Sequence, residues 1–184
     1  MTELFKNKRT PGRITPFKKA LIHTVLITVL GLLLGFTAKM FDIYTLVLGD
    51  IFSQMSVWFF ICTLTAVYSS TPKRAGVNVF SFCAGMLFAY YLTAELTGSV
   101  YSVSFIYGWS AFALLSPAMG FCAWFAGGSG ALSKIITAGI IISLFISAVV
   151  LFDKIRASDI IFSLLIIIVL LNKGRKKHIK EVPG

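Results

Sequence analysis

A single carboxylate raises the first chemical question. Glu95 stands near the end of FAYYLTAELTG (Phe88–Gly98), among apolar, aromatic and small neighbours. Tyr91 lies one helical turn before it. On the preceding apolar segment, which must run the opposite way, Gln54 and Trp58 fall at the same depth, and Trp109 opens the segment that follows. A carboxylate, an amide, a phenol and two indoles can hold a small solute through hydrogen bonds and ring contacts. The same residue types also serve as interfacial anchors, with Glu95 paired to Lys39 and the rings forming a belt. A carboxylate in mid-bilayer would be functional by default, but Glu95 is one residue from the end of its segment. Ligand contact and anchor both follow from the residues.

Catalysis is less well served. No HExxH motif is present, and the four aspartates fall in expected outer loops or helix ends. Intramembrane hydrolysis needs a nucleophile with its base, an aspartate pair or a zinc motif. The expected cytoplasmic side offers only Glu3 and Glu181 to hold a metal for lipid-phosphate chemistry. His23 has no second histidine or acid beside it, so it reads as an interfacial histidine. Cys62, Cys83 and Cys122 all lie in apolar runs, as small hydrophobes do. The chain leans away from enzymes, and no catalytic residue, metal or cofactor is expected.

The elements that position these residues are set by composition. The chain is 57% hydrophobic and 13% charged, with a mean hydropathy of +0.88. A soluble domain must cover itself with polar groups, so the solvent here is lipid. Six apolar segments follow in order: Ala20–Ala38, Ile51–Ser70, Gly76–Leu96, Phe105–Gly127, Ala131–Phe152 and Ala157–Leu171. About 20 helical residues span a bilayer core, and strands would alternate instead of running continuously. The expected fold is all-α: a polytopic integral membrane protein with six transmembrane helices in one bundle. Residues 1–19 form a basic N-terminal tail, 20–171 the membrane domain and 172–184 a basic C-terminal tail. The first segment, 19 residues long and ending GFTAKM, is read as a retained helix rather than a signal peptide.

Charge gives the orientation. The net charge is +10. With both termini cytoplasmic, only Lys39, Lys154 and Arg156 of the 17 basic residues remain outside. The location expected is the plasma membrane, and the partner of the basic fringe is an anionic cytoplasmic leaflet. Nothing in the motifs argues for nucleic acid.

Several shorter signals complete the reading. TPKRA (Thr71–Ala75) and GGSG (Gly127–Gly130) are turns, and SPAMG (Ser116–Gly120) should kink its helix and free carbonyls. Gly31 and Gly35 make a GxxxG face for close packing against another helix, from this chain or from a partner. RAGVNVFSF (Arg74–Phe82) resembles RASDIIFSL (Arg156–Leu164), a weak similarity that suggests a 3+3 inverted repeat, with chance matching as the alternative.

Two functions from different classes fit. One is a small-solute binding or transport module with an outward-facing site at Gln54, Trp58, Tyr91, Glu95 and Trp109. In size, helix number, cytoplasmic termini and outer aromatic cluster it is similar in general format to the substrate-binding subunits of energy-coupling-factor vitamin transporters. That resemblance implies a first-helix face that docks a membrane partner subunit, through which an ATPase would act. Those subunits carry AxxxA where this chain has Gly31 and Gly35, and no vitamin-specific motif is present. The other function is a non-catalytic accessory or regulatory subunit of a membrane complex.

Overall fold

The structure, a computed structural model, describes Arg9, Pro11 and residues 16–181. Among these residues every regular element is a helix: α1 (Phe17–Tyr44), α2 (Leu46–Phe52), α3 (Met55–Tyr68), α4 (Pro72–Leu96), α5 (Val103–Ala126), α6 (Ala131–Phe152) and α7 (Ala157–Glu181). Four of them, α1, α4, α5 and α6, are long and apolar enough to cross a membrane. The pair α2–α3, bent by 51°, makes a fifth if it is one span. This is an all-helical chain built for a bilayer.

Three elements differ from the sequence expectation. The first helix does not end at Ala38 but continues to Tyr44, where Thr45 takes an extended conformation and turns the chain. The stretch expected as one span from Ile51 to Ser70 is broken at Ser53 and Gln54. The α3 portion, 14 residues, rises about 21 Å against a hydrocarbon core of ~30 Å. Asp50, Ser53 and Gln54 mark the break: the side chains of Asp50 and Gln54 find partners outside these helices, and the Ser53 hydroxyl caps the last turn of α2. Asp50 pairs with Arg156 at 2.8 Å, the Ser53 hydroxyl donates to the Asp50 carbonyl, and Gln54 Oε1 accepts from Ser158. Finally, α7 is helical beyond Leu171 and runs on to Glu181. The second half contains no bend like that of α2–α3, since α6 is continuous.

The helix boundaries follow their caps. Thr71 accepts the Arg74 N–H and Pro72 occupies the first turn of α4, where its missing N–H costs nothing. Asp159 accepts the Arg156 N–H at the start of α7, so the acid that interrupts the last apolar run works as a cap. Pro117 stays inside α5. The Ala113 carbonyl, which a fourth-residue N–H would have bonded, receives the Ser116 hydroxyl at 2.7 Å instead. That carbonyl is therefore satisfied within the helix rather than offered to an ion.

Packing centres on α4, which is gripped through glycines on two sides. A Cβ on Gly31 or Gly35 would stand 2.4 or 2.1 Å from the carbonyl oxygens of Phe82 and Met86, and one on Gly85 would meet the Thr28 oxygen at 2.9 Å. The GxxxG face is thus filled by this chain's own α4. Across α4, Gly76 lies against the Pro117 carbonyl and Gly120 against that of Ala75. Small residues let backbones approach, which is how helices associate where lipid removes the hydrophobic drive. The core between them holds Phe82, Val79, Trp58 and Trp124. Leu26, Leu33, Phe36, Ile142 and Leu164 face outward, as lipid contact requires.

Candidate solute-binding cavity

At the end of the fold where α1 finishes and α5 begins, the helices enclose a cavity of about 350 Å³. Two aromatic clusters line it. One runs Phe52, Trp58, Trp109, with ring centroids 6.4 Å apart at each step and near-perpendicular planes. The other runs Tyr90, Tyr91, Tyr101, with centroids 5.3 and 5.6 Å apart. Edge-to-face contacts of this kind hold rings in place without hydrogen bonds. Trp58 is further fixed by its indole N–H, which donates to the Phe52 carbonyl at 2.9 Å across the α2–α3 break. Gly49 lets that short helix fold back, since a Cβ there would meet Phe41 O and Asp42 Cα at 2.9 Å.

The charge in this site is Asp42. Its Oδ2 takes the Lys39 ammonium at 2.8 Å and the Tyr90 hydroxyl at 3.1 Å. Lys39 is 1% exposed and its Nζ sits 5.1 Å from the centre of the Tyr90 ring. Because α1 stays helical past Ala38, Lys39 and Asp42 are three residues apart on one face and pair directly.

Of the residues expected to meet at a site, Trp58, Tyr91 and Trp109 line the cavity together. Gln54 and Glu95 do not. Gln54 is 2% exposed and its amide oxygen faces α7 through Ser158. Glu95 is exposed and accepts from the Tyr101 hydroxyl, which raises the Tyr101 phenol above its ordinary pKa. The expected Lys39–Glu95 pair is corrected: Lys39 is held by Asp42 and Glu95 by Tyr101. The physical reason is where Glu95 falls round the axis of α4. At about 100° per residue, Glu95, 17 positions after Asn78, stands about 100° round the helix from it. Asn78 is buried, Phe88 is 64% exposed, and Glu95 ends outside the bundle. Asp42, Tyr90 and Tyr101 were missed for the same kind of reason. Asp42 belongs to the site only if α1 is long, and Tyr101 only through the turn after α4.

The opposite end is closed by polar contacts. Arg9 donates to the carbonyls of Trp124 at 2.6 Å and Val67 at 2.9 Å, with its guanidinium 3.9 Å above the Trp124 ring. A cation at two helix C-termini complements their dipoles. Burial lowers the Arg9 pKa to about 10. Asn78 accepts from Thr24 and donates to Ser69, with the His23 ring nitrogen 3.4 Å from its amide. Cys62 and Cys83 sulfurs lie 3.6 Å apart as free thiols, and Cys122 is exposed. Among the described residues no three His, Cys, Asp or Glu side chains gather as metal ligands.

Comparison with protein-family models, curated proteins and solved structures finds no match to this chain.

Proposed function

We propose that the chain is a solute-binding or transport module of the plasma membrane, with six spans, both termini in the cytoplasm and its aromatic cavity opening outward. The cavity is the observation that carries this reading. At about 350 Å³ it has the size of a small-molecule site, with mostly apolar walls and a few convergent polar groups. An accessory subunit without a substrate would be served by interdigitated side chains at this end, so the open volume favours the solute reading. The orientation rests on the basic residues of the sequence. Lys19, His23 and Arg74 line a recess of about 190 Å³ at the Trp124 end, which suits an anionic cytoplasmic leaflet. With Gly31 and Gly35 filled by α4, any partner subunit would meet another surface.

The test is ligand retention. Protein in lipid nanodiscs, incubated with a cell metabolite extract, should carry a bound compound detectable by mass spectrometry after denaturation. Ser102→Trp, which places an indole at the cavity lining, should remove it. If the wild type retains nothing and no fraction of the extract raises its thermal midpoint, the accessory reading replaces this one.

A further inference from the structure

We propose that the cavity recognises a weakly hydrated organic cation, a quaternary ammonium or a delocalised ring cation, seated among the aromatic rings with Asp42 as its counter-ion. This inference rests on the solute-binding reading and names the class of solute.

Three observations carry it. First, among the described residues no lysine or arginine lines the cavity, and Asp42 is its one acidic lining residue. An anionic solute would meet a carboxylate and the negative faces of the rings. Second, Trp58, Tyr90, Tyr91, Tyr101 and Trp109 all line one volume. Ring faces attract cations, most strongly when the cation is desolvated, and Trp is the best such face. Third, the chain already places an ammonium in this setting. Lys39 Nζ, nearly fully buried, sits beside the Tyr90 ring with Asp42 as its partner. Both contacts of Asp42 fall on Oδ2, and Oδ1 accepts from no described residue. Lys39, Asp42 and Glu95 sum to one negative charge, to which the nearby Asp50–Arg156 pair adds none, and Glu95 is bonded to the phenol of a lining ring.

The class is narrowed by what the walls lack. A metal ion surrenders its water only to several oxygen ligands, carboxylates above all, and Asp42 is the one carboxylate among the described lining residues. A quaternary ammonium or a charged heteroaromatic ring gives up less hydration and gains from each ring face.

The experiment uses the full chain in nanodiscs of zwitterionic lipid, titrated with choline, benzyltrimethylammonium and 3,3-dimethylbutan-1-ol, the uncharged match of choline. Binding is read from tryptophan fluorescence. At least one cation should bind, with choline about tenfold or more ahead of the alcohol, as one or two cation–ring contacts supply. Asp42→Asn should weaken cation binding about tenfold and leave the alcohol within about twofold. If Asp42→Asn does not fold, Tyr91→Leu serves, with loss for the cations alone. Equal binding of choline and the alcohol overturns the cationic class and keeps the cavity as a solute site. Cation binding that neither variant weakens also overturns the class. Binding of none of the three, together with no retained compound in the extract experiment, overturns both inferences. Binding of none beside a retained neutral or anionic compound overturns this one only.

Discussion

Charged side chains at the two ends of this molecule are held by different means. At the cavity end Lys39 and Asp42 form a close pair, whereas Arg9 at the other end is held by backbone carbonyls and the Trp124 ring. Glu95 is exposed and bonded only locally, so Glu95→Gln should shift the thermal midpoint by less than about 2 °C, within what surface changes do. Arg9→Gln removes a charged donor from carbonyls of two helices and should cost about 1–3 kcal/mol, against no change for exposed Lys18→Gln. Below the Arg9 pKa of about 10, the guanidinium is charged in folded and unfolded chains alike and adds no pH slope. Above it the unfolded chain keeps the proton longer, so this group's share of stability rises with pH. The cost of Arg9→Gln should therefore be equal at pH 6 and pH 8 in thermal melts. That Trp58, Tyr91 and Trp109 gather at one end of the bundle was legible because ring type and depth in an apolar segment survive small errors of helix phase. The partners of Lys39 and Glu95 were not, because pairing depends on one turn of helix more or less.

Helices pack here through absence of side chains. A Cβ on Gly35 would lie 2.1 Å from the Met86 carbonyl, whereas those on Gly108 and Gly139 meet nothing within 4 Å. Gly35→Ala must push α1 from α4 and should destabilise by at least about 1–3 kcal/mol, while Gly139→Ala should leave the thermal midpoint unchanged or raised. The close-packing role of Gly31 and Gly35 could be read from their spacing, though not which helix would fill it. Spans with long continuous apolar runs were equally plain. The α2–α3 break escaped notice because Ser53 and Gln54 sit within a run whose average remains apolar. What marks the bend is where their polar atoms find partners, on Asp50 and on Ser158 more than 100 residues away.

At the scale of the whole molecule, α4 acts as the post, with α1 and α5 seated on its glycine seams and α2–α3 folded over one end to roof a cavity. In the orientation proposed, this cavity opens to the outside, opposite the basic fringe. Ser102 lines it and is exposed, while Lys73 stands exposed at the start of α4, near the other end. In a cysteine-free background, Ser102→Cys and Lys73→Cys are each treated in intact cells with a membrane-impermeant maleimide. The expected result is labelling of Ser102→Cys in intact cells and of Lys73→Cys only after permeabilisation. Labelling of both from one side would overturn the span count, and the reverse pattern would turn the cavity to the cytoplasm and overturn the proposed orientation.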